Sequence, residues 1–150
     1  MNQAKHMVSS SNPDPIHVHE WMQQWSDLES RLHTLLLSPA QQPDFPRQLQ
    51  ALHQRMMHLL DTDADSTLYW LFQLAAASTV AYSASHAMIC ASLCHLVTPD
   101  LKLPPEQSNS LSLAALTMNV SMTRLQDDLA EQLNPLSDEQ RKNVKVHAGL

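Results

Sequence analysis

His86, Cys90 and Cys94 recur at every fourth position, so on a helix their side chains share one face. Two thiolates and an imidazole are zinc-ligand chemistry. One helix cannot wrap three donors tetrahedrally around an ion without strain, so a fourth ligand such as His147 would have to approach. The plainer reading is a buried histidine beside two small, packed cysteines, and it is the one expected. Asp61, Asp63 and Asp65 imitate the first ligands of a calcium loop. That loop needs glycine where Ser66 stands and a bidentate glutamate where Phe72 stands.

The same run, Asp63-Ala64-Asp65-Ser66-Thr67-Leu68, imitates the nucleophile motif of haloacid-dehalogenase-like phosphatases. That motif follows a β-strand, whereas Leu52, Met56, Leu59 and Leu60 before it keep a helical period. The acidic run therefore predicts a helix N-terminus, where the dipole favours acids and Asp65 or Ser66 serves as cap. His17 with His19, and His53 with His58, lack cysteine partners and are expected to be solvated. Met118 and Met122, with Met88 near them, read as adaptable core filler rather than a copper site. Trp21 and Trp25 share a helical face, and Trp70 opens a later helix. Their expected role is internal packing; the functional alternative is an interface at Trp21 and Trp25 with a partner.

These side chains need helices to position them, and the composition supplies little else. A single glycine in 150 residues leaves no material for hairpin turns, a dinucleotide-binding fingerprint or a P-loop. Nine Lys and Arg against fifteen Asp and Glu give a net charge of −6 and no basic stripe, so no nucleic-acid partner is expected. Protonation of the nine histidines would reverse that sign near pH 6. The two cysteines do not make a disulfide framework. Met1 to Pro15 is polar, without the apolar core of a signal peptide, and is expected to be a disordered tail of a cytoplasmic protein.

From Ile16 a stripe of Val18, Trp21, Trp25, Leu28, Leu32, Leu35 and Leu36 predicts a helix, with Asp14 as cap and Pro15 in its first turn. Pro39 to Pro46 is a linker, and Leu49, Leu52, Met56, Leu59 and Leu60 mark a second helix. Thr67 to Thr98 carries no Asp, Glu, Lys or Arg. Its central Gln73, Ser78, Thr79, Ser83, Ser85 and His86, and its lack of basic flanks, argue against a membrane span. A buried helix pair broken near Ala81 to Ser83 is expected instead. After the loop Pro99 to Pro105, one helix carries Leu111, Ala114, Ala115 and Leu116, and a stripe of Met118, Met122, Leu125, Leu129 and Leu133 follows. Ser137 and Gln140 form a capping box for a last helix towards His147. The expected fold class is an all-α helical bundle.

Five blocks in order then carry a resemblance. They are Tyr82-Ser83-Ala84-Ser85-His86-Ala87, Leu101-Lys102-Leu103-Pro104-Pro105-Glu106, Ala114-Ala115-Leu116-Thr117-Met118-Asn119-Val120, Pro135-Leu136-Ser137-Asp138-Glu139-Gln140 and Lys145-Val146-His147. Together they resemble the front half of an HD-GYP-type HD domain, of the metal-dependent phosphohydrolase superfamily. The resemblance implies a truncated HD-like core over 63–150, preceded by a helical pair over 16–62 and the tail over 1–15. It places metal-binding histidines at His86 and His147, the His-Asp dyad at Met118-Asn119 and the lysine after it at Met122. The family's later elements, two adjacent histidines, a Gly-Tyr-Pro loop and a closing aspartate, would lie beyond Leu150.

The chemistry of the exchanged dyad decides the functional expectation. A dinuclear hydrolase holds two cations about 3.5–4 Å apart and generates hydroxide between them. A carboxylate offsets that charge and can bridge both ions; the amide of Asn119 is neutral, and the thioether of Met118 is a poor partner for Mn²⁺ or Mg²⁺. No cofactor is expected, and any divalent metal at the vestigial His86 and His147 should be held weakly. The expected function is therefore a non-catalytic, degenerate module acting through protein contacts or self-association. The resemblance adds bacterial signalling, since intact relatives hydrolyse cyclic di-GMP. One alternative is a phosphodiesterase whose site is completed by further C-terminal sequence; another is a structural oligomerisation domain. An apolar face along Leu111 to Leu129 is expected to be exposed or covered by a partner.

Overall fold

The computed structural model describes residues 15–77 and 81–147. The expected tail, the Asp14 cap and the side chain of His17 lie outside that description. Among the described residues the fold is an all-α bundle of seven helices without strands. They are α1 (Pro15–Leu37), α2 (Phe45–Thr62), α3 (Ala64–Ala77), α4 (Tyr82–Val97), α5 (Pro105–Thr117), α6 (Thr123–Glu131) and α7 (Asp138–Val146), with 3-10 turns at Pro39–Gln41 and Val120–Met122. No described helix is long and apolar enough to cross a membrane.

Helix α4 is the hub: it packs against α5, α3, α1 and α6. Its buried residues are small (Ser83, Ala84, Ser85, Ala87, Ala91 and Ser92, with Met88 the one large exception), and small side chains let helix axes approach closely. Around it lie Trp25, Leu28, Leu32, Leu35 and Leu36 of α1 and Leu49, Leu52, Met56, Leu59 and Leu60 of α2. The α2 stripe expected from the spacing faces this core, as does the α1 stripe from Trp21 on, whereas Val18 at its start is exposed. Trp25 is fully buried, edge-on to the half-buried Trp21 with ring centroids 6.2 Å apart. It touches no solvent, so the interface alternative is corrected for Trp25: its apolar surface is already used inside the chain.

The polar punctuation accounts for the helix ends. Asp44, in the left-handed region at φ 54°, turns the chain into α2, a conformation that Asp tolerates better than most residues. Asp63 ends α2 and accepts the Ser66 N–H at 3.0 Å. The cap of α3 is thus Asp63 and not the expected Asp65 or Ser66, because α3 begins two residues earlier than a cap at Asp65 requires, at Ala64. Ser137 and Gln140 form the expected capping box on α7, with both reciprocal bonds present.

Three expectations need correction. α4 is buried, but its partner α3 buries only Thr67 and Leu71 and leaves Tyr69 68% and Phe72 53% exposed. The Met118–Leu133 stripe is broken by the 3-10 turn, before which Met118 is exposed, and by the end of α6 at Glu131, past which Leu133 protrudes fully. Met118 is therefore not core filler, while Met88 is fully buried.

Candidate functional site

His86 lies in the first turns of α4, stacked on Tyr82 with ring centroids 5.9 Å apart and an interplanar angle of 13°. Its Nε2 is 3.7 Å from the Cys90 Sγ. Burial, and then the nearby Cys94, push the Cys90 thiol above its ordinary range, so it stays a neutral thiol at pH 7. Both cysteines are free and half-buried. Asn119 precedes the 3-10 turn, and its backbone carbonyl accepts the Met122 N–H at 2.9 Å.

Met122 and His147 line one hollow of about 370 Å³, together with Leu36, Val120, Arg124 and Asn143. There the His147 Nδ1–H donates to the Val144 carbonyl at 2.5 Å, and Ser121 donates to the His147 carbonyl at 2.8 Å. That bond leaves the Nε2 lone pair free in the neutral ring. The structure thus brings Met122 to His147, while His86 and Asn119 do not line this hollow. Among the described residues no group of three or more His, Cys, Asp or Glu side chains could hold a metal ion.

Two buried polar clusters escaped the sequence reading. The first joins α1, α4 and α6. Glu29 is buried on the core side of α1 and accepts a hydrogen bond from the Ser85 hydroxyl. Burial raises its carboxyl above the ordinary 4.5, and the Ser85 bond and His33 pull it part of the way back. One turn on, the His33 Nε2 is 2.8 Å from the Asp127 Oδ2, and the Asp127 Oδ1 accepts the Ser83 N–H at 2.8 Å. Asp127 of α6 therefore caps α4 from another helix, where the local Ala81 has only a methyl side chain. Glu29 carried a faint signal, sitting between Trp25 and Leu32 on the apolar stripe; Asp127, 94 residues from His33, carried none.

The second cluster is His53 with Ser112. His53 is 3% exposed, which corrects the expectation that it is solvated; His58 and His19 are exposed as expected. α2 turns the 53, 56, 57 and 60 side to the core, and position 53 falls on it by period alone. The His53 Nε2 lies 2.6 Å from the Ser112 Oγ, whose own proton goes to the backbone carbonyls of Ser108 and Asn109, both at 3.2 Å. With the Ser112 proton on either carbonyl, the His53 Nε2 is the donor of the shorter bond. A general base would present its lone pair to the serine. With Ser112 fully buried as well, the pair is structural rather than nucleophilic.

The electrostatics of both clusters predict a pH response. Burial, then the charge of His95, lower the His53 pKa below the ordinary 6.5. A depressed histidine contributes stability above its unfolded value and loses it as pH falls through the folded value. Glu29 runs the other way: its contribution is full below 4.5 and is lost as pH rises through its raised value. Two outcomes are expected in urea unfolding. The chain loses stability from about pH 6.5 downward, a loss reduced in His53→Gln. Glu29→Gln gains stability relative to the native chain at pH 8 and loses that advantage at pH 4. A Glu29→Gln effect independent of pH would refute the assignment.

No family model, curated protein or solved structure gives a significant match to this chain. Function must be argued from its own surfaces and sites. The most unusual surface is the outer side of α3 and α4, where Tyr69, Phe72, Leu93 and Val97 are exposed on helices without a formal charge between Asp65 and Asp100.

Proposed function

We propose that this chain is a non-catalytic, degenerate HD-GYP-like helical module that acts through protein contacts in bacterial signalling. The HD-GYP and signalling parts rest on the ordered sequence blocks alone. The contact role is carried by one observation: Tyr69 and Phe72, 68% and 53% exposed, stand out from a helix that has no charged side chain beyond Asp65. Aromatic residues exposed in this way mark interaction surfaces. The chemistry of the dyad positions supports the same reading. Asn119 and Met118 give no negative charge to hold a pair of cations.

The test is enzymatic and elemental together. The purified chain should hydrolyse neither cyclic di-GMP nor an aryl phosphate above the buffer rate with Mn²⁺ or Mg²⁺ present, and should retain less than one metal ion per chain. Hydrolysis that is abolished in His86→Ala, or two firmly held metals, would overturn the proposal in favour of a phosphohydrolase using His86 and His147.

A further inference from the structure

We infer that residues 118–147 form a strap that opens as a unit about the 3-10 turn at Val120–Met122 and is latched to the bundle by Asp127. The inference is independent of the reading of the chain as a contact module. Among the described residues the buried apolar side chains begin at Trp25 and end at Leu116. Beyond Leu116, Val120 touches that core, while Leu125 and Leu129 are only half-buried. The buried residues of α6 are Thr123 and Gln126, both polar, and α7 buries none. The Gln126 Oε1 is buried without a hydrogen-bond partner, which weakens the docking further. A segment with so little apolar burial separates from a bundle far more readily than the core unfolds.

The hydrogen bonds divide at the same place. Inside the segment, the Ser121 hydroxyl donates to the His147 carbonyl at 2.8 Å and the Gln140 side-chain amide donates to the Gln132 Oε1 at 2.7 Å, tying α7 to both ends of α6. Thr123 donates only to the Asn119 and Val120 carbonyls, also within the segment. Among the described residues, the side-chain hydrogen bonds that leave the segment for the rest of the bundle all come from Asp127. It accepts the Ser83 N–H of α4 and pairs with His33 of α1, each at 2.8 Å. Packing repeats the pattern. The hollow of about 370 Å³ lies between the end of α1, at Leu36 and Leu37, and the strap, at Leu125, Asn143, Val146 and His147. A seam that is not close-packed gains little dispersion attraction. Met118 and Ser121 at the turn are exposed, so rotation there disturbs no core side chain. When the strap swings out, the first turn of α4 loses its acceptor, and Leu36, 3% exposed in the closed form, is uncovered beside Leu37.

Native-state hydrogen exchange of the whole chain, in urea below the unfolding transition, tests this. The hydrogen-bonded α6 amides should be protected at least about a hundredfold less than those of α1 and α2, with a weaker urea dependence, because opening exposes less surface than unfolding. The α7 amides should open at least as readily, since α7 is tied to the bundle through α6. Two variants identify the latch and separate opening from global unfolding. Asp127→Ala should speed α6 exchange by about thirtyfold or more. Leu60→Val, at a fully buried site in α2, should speed exchange in α1 and α2 and leave α6 unchanged, because the open form keeps that core. Equal protection and equal urea dependence in α6 and α1 would overturn the inference. So would α6 exchange that accelerates with Leu60→Val as much as α1, α6 exchange untouched by Asp127→Ala, or α7 amides better protected than those of α6. Should either variant fail to fold, the urea series on the native chain decides alone.

Discussion

Trp25→Ala is expected to destabilise the chain by about 3–5 kcal/mol, the range for emptying a buried tryptophan site. Trp25 is fully buried where α1 meets the bundle, and edge-on contact with Trp21 adds to its packing. The neighbours cannot collapse into the space readily, because α1 is held along its length by Leu28, Leu32, Leu35 and Leu36. One term opposes the loss. The indole Nε1 is buried without a hydrogen-bond partner, so truncation also removes an unsatisfied donor. Trp25→Phe, which removes that donor and keeps an aromatic ring, should therefore lose less than about 2 kcal/mol. Urea denaturation midpoints of the two variants check both values. A loss below about 1 kcal/mol for the alanine variant would mean that Trp25 does not anchor the core.

Asp127→Ala should be the next largest loss, about 2–4 kcal/mol, because one carboxylate serves two functions. It accepts the Ser83 N–H at the start of α4 and pairs with His33 of α1. The pair is sheltered, with the two side chains only 18% and 14% exposed, so solvent screening takes away less of its value than at an open surface. Removing Asp127 also leaves the first turn of the hub helix without a side-chain acceptor. Two measurements separate the contributions. A double-mutant cycle with His33→Ala should give a coupling of at least about 1 kcal/mol. Hydrogen exchange of the first α4 amides should accelerate in Asp127→Ala but not in His33→Ala. Additive energies and unchanged exchange would show that Asp127 is a surface acid without structural weight.

These two residues illustrate how much of the protein was legible without coordinates. The tryptophan sat on a stripe of period 3.6, which predicted α1 and the burial of Leu28, Leu32 and Leu36. The capping box at Ser137 and Gln140 was legible for the same reason: its donors and acceptors lie within three residues, so the backbone geometry of a helix start fixes them. Asp63 shows where local reading stops. Three aspartates and a serine compete for one cap, and a shift of two residues in the helix start selected Asp63 over Asp65. Hydrogen bonds from Ser66 hold its carboxyl below the ordinary 3.8, which marks it as the engaged one.

By itself the amino-acid order determined the all-α class, the spans of α1 and α2 to within a few residues, most of their apolar stripes, and the absence of a carboxylate at Met118-Asn119. Each of these follows from spacing within one or two turns or from side-chain chemistry alone. The tertiary structure decided that His53 is buried against Ser112, that Glu29 meets Ser85, that His33 meets Asp127, and that α3 turns Tyr69 and Phe72 outward. The three pairs are separated by 59, 56 and 94 residues. No local rule brings such partners together, because they meet only after the rotation of each helix has been set by the packing of all the others.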